Sequence, residues 1–260
     1  MRKHILLLVA CILFAVPNIT LASGQNTNYK RMAIVIDDFG NNMKGTEQIL
    51  NLPVPLTVAV MPFMSSTKQD AELAHQKGHE VIVHMPMEPK NGKSSWLGPG
   101  AITLDLSDEE IRKRTLDAVK NVPHAVGMNN HMGSKITEDK RAMSIILQVC
   151  KEQGLYYLDS KTSGNSKAKE IAELVGVPLL ENNYFFDDEY SELHINKQAR
   201  SIGQQLQNKR QLIAIGHVGV PGPITFEAIK RNIPAYEKKA QLVKVSHLIP
   251  EIKMLDKKFN

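Results

Sequence analysis

Residues 34–42 read IVIDDFGNN: an apolar, β-branched run leads directly into two adjacent carboxylates, Asp37 and Asp38. Neighbouring like charges repel, and covering them forfeits their hydration, so the pair demands either a positive partner or a solvent-exposed turn. A metal ion supplies the first answer. A turn or helix cap ahead of Gly40 supplies the second.

Working outward, short β-branched runs alternate with segments of helical apolar spacing. The pattern predicts strands at 32–36, 56–61, 80–83, 125–128, 155–158, 177–180, 212–215 and 242–245. Helices are predicted at 46–52, 68–77, 108–121, 139–153, 167–175, 195–208 and 226–238. Ser107 and Glu110 form a capping-box pattern, while Gly78, Gly154 and Gly176 follow helix ends. Repeated strand-then-helix units imply an α/β fold of parallel strands with crossover helices, here a barrel of seven or eight strands. A doubly wound open sheet is the competing arrangement. The longest irregular insertion, KNGKSSWLGPG at 90–100, carries the only tryptophan, Trp96.

Polar residues gather where the predicted strands end: Asp37 and Asp38, His84 with Glu88 beyond it, Asn129, Asn130 and His131, then Asp159, and finally His217. The carboxyl ends of parallel strands share one face, so residues scattered over about 180 positions converge there. Singly, each has a structural reading: a turn for the aspartates, a hydrogen-bonded core imidazole for each histidine. Together, a carboxylate and two imidazoles are the donor set of a catalytic divalent metal, zinc first, with manganese, iron or cobalt also compatible. His217, across the barrel mouth, is placed to protonate a leaving group. His79 begins a strand on the opposite face and reads as structural.

The ends of the chain divide it further. Arg2, Lys3 and His4, an apolar run at 5–16 and Thr20-Leu21-Ala22 read as a signal peptide at 1–22, followed by a linker at 23–30 and one domain at 31–260. Export with cleavage, to the periplasm, cell envelope or medium, is therefore expected, with no lasting membrane span; an uncleaved anchor is the alternative. Cys11 belongs to the leader and Cys150 to the body, so the processed chain has no internal disulfide. Losing Arg2 and Lys3 with an acid-free leader takes the net charge from +5 to +3, too mild to argue for nucleic acid. Oligomeric state leaves no mark in the sequence.

The stretches IDDFG (36–40), GHEVIVHMPMEP (78–89), GMNNHMGS (127–134), YYLDS (156–160) and IAIGHVG (213–219) together resemble the divergent polysaccharide deacetylase family, the YibQ-like group related to NodB-type carbohydrate esterases. The resemblance covers roughly residues 33–249 and implies a distorted (β/α) barrel. It also implies roles: Asp37 as base, Asp38 and His84 as metal ligands, His217 as general acid. Where the NodB-type motif has its second histidine this chain has Glu88, so the third ligand is Glu88 or His131, with His131 favoured because it keeps the site rich in nitrogen. Val218 replaces a common aspartate, and the arginine-containing motif after the fourth strand is absent. Asp159, Asn129 and Asn130 would orient ligands or substrate; Trp96 and Tyr184 would stack on a sugar or pack in the core. The implied activity is metal-dependent removal of an acyl group, most simply acetyl, from an extracytoplasmic carbohydrate or polysaccharide. The alternatives are a catalytically degenerate envelope module that binds glycan or a partner protein, and sugar hydrolysis by two carboxylates.

Overall fold

The structure is a computed structural model that describes residues 29–250; the expected leader and most of the linker lie outside the described residues. In chain order the elements are β1 (Arg31–Phe39), α1 (Thr46–Leu50), β2 (Thr57–Val60), α2 (Thr67–Gln76), β3 (Glu80–Met87), α3 (Asp108–Asn121), β4 (Ala125–Met132) and α4 (Lys140–Glu152). There follow β5 (Tyr156–Asp159), α5 (Ala168–Val175), β6 (Leu179–Glu181), β7 (Tyr184–Phe185), α6 (Glu192–Gln205), β8 (Gln211–His217), α7 (Gly222–Glu237) and β9 (Gln241–Val243). Among the described residues no helix is long and apolar enough to cross a membrane.

Helix signals operate locally as their chemistry requires. The Ser107 hydroxyl accepts from the Glu110 N–H at 3.2 Å, but the Glu110 carboxylate turns to Arg114, so only half of the capping box forms. Gly176 ends α5 at φ 84, a left-handed position that suits a residue without Cβ.

All strand pairings are parallel, in the order β6-β5-β4-β3-β2-β1-β8-β7, with β9 beside the start of β1. This is the distorted barrel, not a doubly wound open sheet, because the sheet's two ends are one stretch of chain. β6 pairs with β5 and β7 with β8, and between them Asn182 donates to the Asp159 carbonyl at 2.9 Å and Asn183 to the Ile213 carbonyl at 3.0 Å.

Alternation along each strand sorts side chains into two cores. Ala33, Val35, Ala59, Ile82, Tyr156, Leu158, Ile213 and Ile215 fill the barrel interior. Met32, Ile34, Ile36, Val81, Val83, Met128, Tyr157 and Ala214 face the helices. Extending the inner set by two residues at each strand end reaches Asp37, His84, Asn129, Ser160 and His217.

The opposite mouth is closed by the segment after β9, whose Val245, Leu248 and Ile249 join the inner core. There the buried Glu80 Oε1 accepts from the Tyr156 hydroxyl at 2.8 Å, the Thr57 hydroxyl at 3.0 Å and the Ser246 N–H at 3.2 Å. His79 beside it is buried between the Leu50 carbonyl and the Leu56 N–H, a structural position.

Glu80→Ala strands three donors at once and is expected to cost about 3 kcal/mol in urea unfolding, whereas Tyr156→Phe, which removes one bond, costs about 1 kcal/mol. Equal effects from the two substitutions would show that Glu80 does not organise this end.

Candidate metal centre

β1 runs three residues past its expected end because the aspartates belong to the strand. Ile36 pairs with Val58 but Phe39 with Val60, so β1 carries one extra residue there, and Asp38 takes φ 70. Such a bulge re-aims a side chain. Asp37 faces the barrel mouth by alternation, and the bulge turns Asp38 to join it. Gly40, at φ 115, is held by its N–H on Asp70 Oδ2 at 2.8 Å, which pins this turn to the start of α2.

Asp38 Oδ1 lies 3.1 Å from His84 Nε2 and 3.0 Å from His131 Nδ1, and the two nitrogens are 3.1 Å apart. The hydrogen-bond network fixes both tautomers. The Asn129 amide nitrogen donates to Asp37 Oδ1 at 2.9 Å, so its oxygen accepts from His84 Nδ1–H at 2.7 Å. His131 Nε2–H donates to the Trp96 carbonyl at 3.1 Å. With those N–H groups engaged elsewhere, the nitrogens facing Asp38 are the ones able to offer a lone pair to a cation, and three electron-rich atoms converge.

That convergence fits a divalent cation. Two bonds of about 2.0–2.1 Å at a tetrahedral angle place their donors about 3.3 Å apart, close to the spacings here. Asp38, His84 and His131 form the only such group of three or more potential ligands among the described residues. Glu88, the other candidate, accepts from Lys135 Nζ at 2.5 Å and the Leu104 N–H at 2.9 Å, and the Lys135 bond holds its carboxyl below its usual range.

Electrostatics separate the two aspartates. Burial raises the Asp37 carboxyl above its ordinary range despite the nearby His84 and His217. For Asp38 burial pushes the same way, but hydrogen bonds to His131 and His84 outweigh it and hold the carboxyl well below that range. His84 is desolvated, yet the charges of Asp37 and Asp38 raise its pKa.

On the neighbouring strand, where it pairs with Asp37 rather than standing across the mouth, His217 donates Nδ1–H to Asp187 Oδ1 at 2.7 Å and its main-chain N–H to Asp187 Oδ2 at 2.8 Å. Thr225 donates to the same Oδ2 at 2.6 Å. Burial opposes the imidazolium, but the fully buried Asp187 outweighs it, with Asp38 and Asp37 adding, and the pKa is pushed up to about 10. The sequence reading did not single out Asp187. Its signal was present in Phe185-Phe186-Asp187-Asp188, which repeats the apolar-then-two-acids pattern of β1, but β7 is only two residues long and was not anticipated.

Three other residues are not brought to the cluster, and alternation is the reason. Asn130 faces the helices, where its amide oxygen accepts from the Ser160 N–H and its nitrogen bonds the Met132 carbonyl. Asp159, of the same parity, caps its own loop through the Lys161 N–H at 2.8 Å. Tyr184 packs against the helix-side core, its ring 5.6 Å from Lys209 Nζ ahead of β8. Trp96 meets the site through its main-chain carbonyl, and the residue is 59% exposed.

The fold and cluster together define a parallel (β/α) barrel with a carboxylate–imidazole centre at its carboxyl rim. The chain belongs to the divergent polysaccharide deacetylase family, whose model matches residues 34–249. It is 36% identical over 221 residues to the uncharacterized protein YibQ of Escherichia coli K12, covering 85% of this chain and 68% of that one. Among solved structures, uncharacterized protein ATU2773 of Agrobacterium tumefaciens C58 superposes with TM-score 0.79 at 20% identity, covering 86% of this chain and 91% of the other. The catalytic domain of a peptidoglycan N-acetylglucosamine deacetylase from Eubacterium rectale matches at TM-score 0.52 and 11% identity, with coverage of 87% and 93%. BA3943, a CE4 family pseudoenzyme from Bacillus anthracis, matches at 0.50 and 14%, with coverage of 86% and 67%. At these identities the three structures share the fold.

Asn129→Ala removes the group that orients both His84 and Asp37, and zinc affinity is expected to fall about 10–100-fold by equilibrium dialysis. Glu88→Ala should change it less than about threefold; a larger loss there would make Glu88 a ligand.

Proposed function

We propose that this protein is a metal-dependent hydrolase that removes an acyl group, most simply acetyl, from a nitrogen or oxygen of an extracytoplasmic carbohydrate. The observation that carries the reading is the single mouth that gathers three potential lone-pair donors, Asp38, His84 and His131, a buried acid, Asp37, 3.7 Å from His84, and an Asp187–His217 pair on the strand beside Asp37. The family and the peptidoglycan-deacetylase fold relative support a polysaccharide substrate. Zinc suits the mixed oxygen and nitrogen donors. When bound, a divalent cation supplies Lewis acidity, polarising the acyl carbonyl and easing deprotonation of water.

The chain's own groups complete the hydrolysis. Asp37, its pKa raised by burial and its carboxylate steadied by Asn129, accepts a proton from the attacking water. The water oxygen forms the new bond to the acyl carbon. As the bond to the sugar nitrogen or oxygen breaks, His217 donates its Nε2 proton to that atom, giving acetate and the free amine or alcohol. Asp187 holds the imidazolium and its orientation through Nδ1.

Acetate release from acetylated chito-oligosaccharides or peptidoglycan, assayed with zinc, tests this. Asp37→Asn should lower turnover about 10²–10⁴-fold while zinc still binds. Because His217 donates only when protonated, activity falls as pH rises through its pKa. Asp187→Asn removes the charge that raises that pKa and should move this limb to lower pH. Zinc binding with no acetate released from any substrate would instead favour a binding module of the cell envelope, a reading supported by the pseudoenzyme of similar fold.

Export is proposed from residues 1–22. Amino-terminal sequencing of protein recovered from the envelope should begin at Ser23; a chain still starting at Met1 would contradict cleavage.

A further inference from the structure

We propose that the loop between β3 and α3 couples saccharide docking to cation binding, with the Trp96 ring receiving a pyranose and the Trp96 carbonyl holding His131. This deepens the preceding reading and rests on it for the saccharide and the cation.

The loop is stapled at its base and reaches the centre at its tip. Glu88 N–H donates to the Ile102 carbonyl at 2.8 Å and Ile102 N–H to the Pro86 carbonyl at 2.9 Å, while Leu97 is buried. Gly92, at φ 142, lies against the end of β4 so closely that a Cβ would stand 2.8 Å from Met132 Cε. From this base Trp96 extends its carbonyl to His131 Nε2 at 3.1 Å. That contact decides which His131 nitrogen keeps its lone pair for the cluster.

The same residue, the only tryptophan of the chain, is 59% exposed, with Lys93 Nζ 5.8 Å from its ring centroid. A flat, amphipathic indole left in solvent beside a polar centre matches the C–H face of a sugar ring and needs no charge on its ligand. A second exposed aromatic, Tyr190, also 59% exposed, lies close enough to Asp38 and Asp187 to feel their charges.

Coupling follows from the shared residue. A cation drawing on His131 Nδ1 makes Nε2–H a stronger donor to the Trp96 carbonyl, and a sugar on the ring restrains the same residue. Each event favours the other, and the linkage is reciprocal.

A single tryptophan makes the test direct. Zinc does not quench indole by redox chemistry, so a saturable change in Trp96 emission on adding zinc to the chelator-treated protein reports the loop. Tetra-N-acetylchitotetraose should bind about fivefold more tightly with zinc present, and zinc about fivefold more tightly with the tetrasaccharide present. In Trp96→Ala the main-chain carbonyl remains: dialysis should show zinc affinity within about threefold, tetrasaccharide affinity down about tenfold, and the coupling gone. Gly92→Val, which puts a β-branched residue at φ 142 and strains the loop backbone, should weaken zinc itself.

A coupling factor of one in the unmodified protein, with zinc bound, overturns the linkage and leaves the hydrolase reading intact. Tetrasaccharide affinity unchanged in Trp96→Ala overturns the docking role. Failure of the unmodified protein to bind zinc in dialysis overturns both readings.

Discussion

Two consecutive residues of a pleated strand point to opposite faces, yet Asp37 and Asp38 both serve the same mouth. The one-residue bulge between Ile36 and Phe39 reconciles these demands, and the centre depends on it. A left-handed conformation costs a non-glycine residue about 1 kcal/mol or more, least for Asp and Asn, whose side chains bond locally. Here the turn is held from outside. Asp70 receives the Gly40 N–H and the Ser66 hydroxyl, and Ser66 N–H returns to the Gly40 carbonyl. Helix α2 thus sets the aim of Asp38 without touching the cluster.

Once both acids are inside, the surrounding residues follow from the cost of burying charge. Asp37, His84 and Asn129 are each 2% exposed or less, so every polar atom needs a partner. Asn129 meets this with one amide, donating to Asp37 and accepting from His84. The same arrangement leaves His84 Nε2 and His131 Nδ1 aimed at Asp38. Hydrogen bonding in the shell, more than the donor set itself, prepares these three atoms to share a cation.

Environment, not residue type, divides labour among the acids. Asp37 is pushed toward its protonated form chiefly by burial, while two imidazoles keep its neighbour Asp38 ionised. Asp187, without solvent, uses both oxygens on His217 and Thr225 and favours the charged imidazole on the strand beside Asp37. Two titratable groups on adjacent strands, Asp37 and His217, thus have their proton affinities set by different surroundings beside one set of candidate ligand atoms.

Local patterning sufficed for much of the architecture. Helix α3 falls at the residues its spacing predicts, and the strand-then-helix rhythm specified parallel strands because each crossover must bury an apolar face against the sheet. The same rhythm placed Asp38, His84, His131 and His217 at strand ends. Alternation would also have turned Asn130 and Asp159 toward the helices, since parity is a local property of a strand. Only tertiary structure decided the rest. A bulge is defined by register against a neighbouring strand, so the sequence could not show that Asp38 turns inward. A two-residue strand such as β7 has no periodicity to read, so Asp187 emerged only through its contact with a histidine 30 positions away. That Glu88 is held by Lys135 while His131, held by Trp96, lies with Asp38 and His84 follows from partners in other loops whose positions depend on packing at a distance.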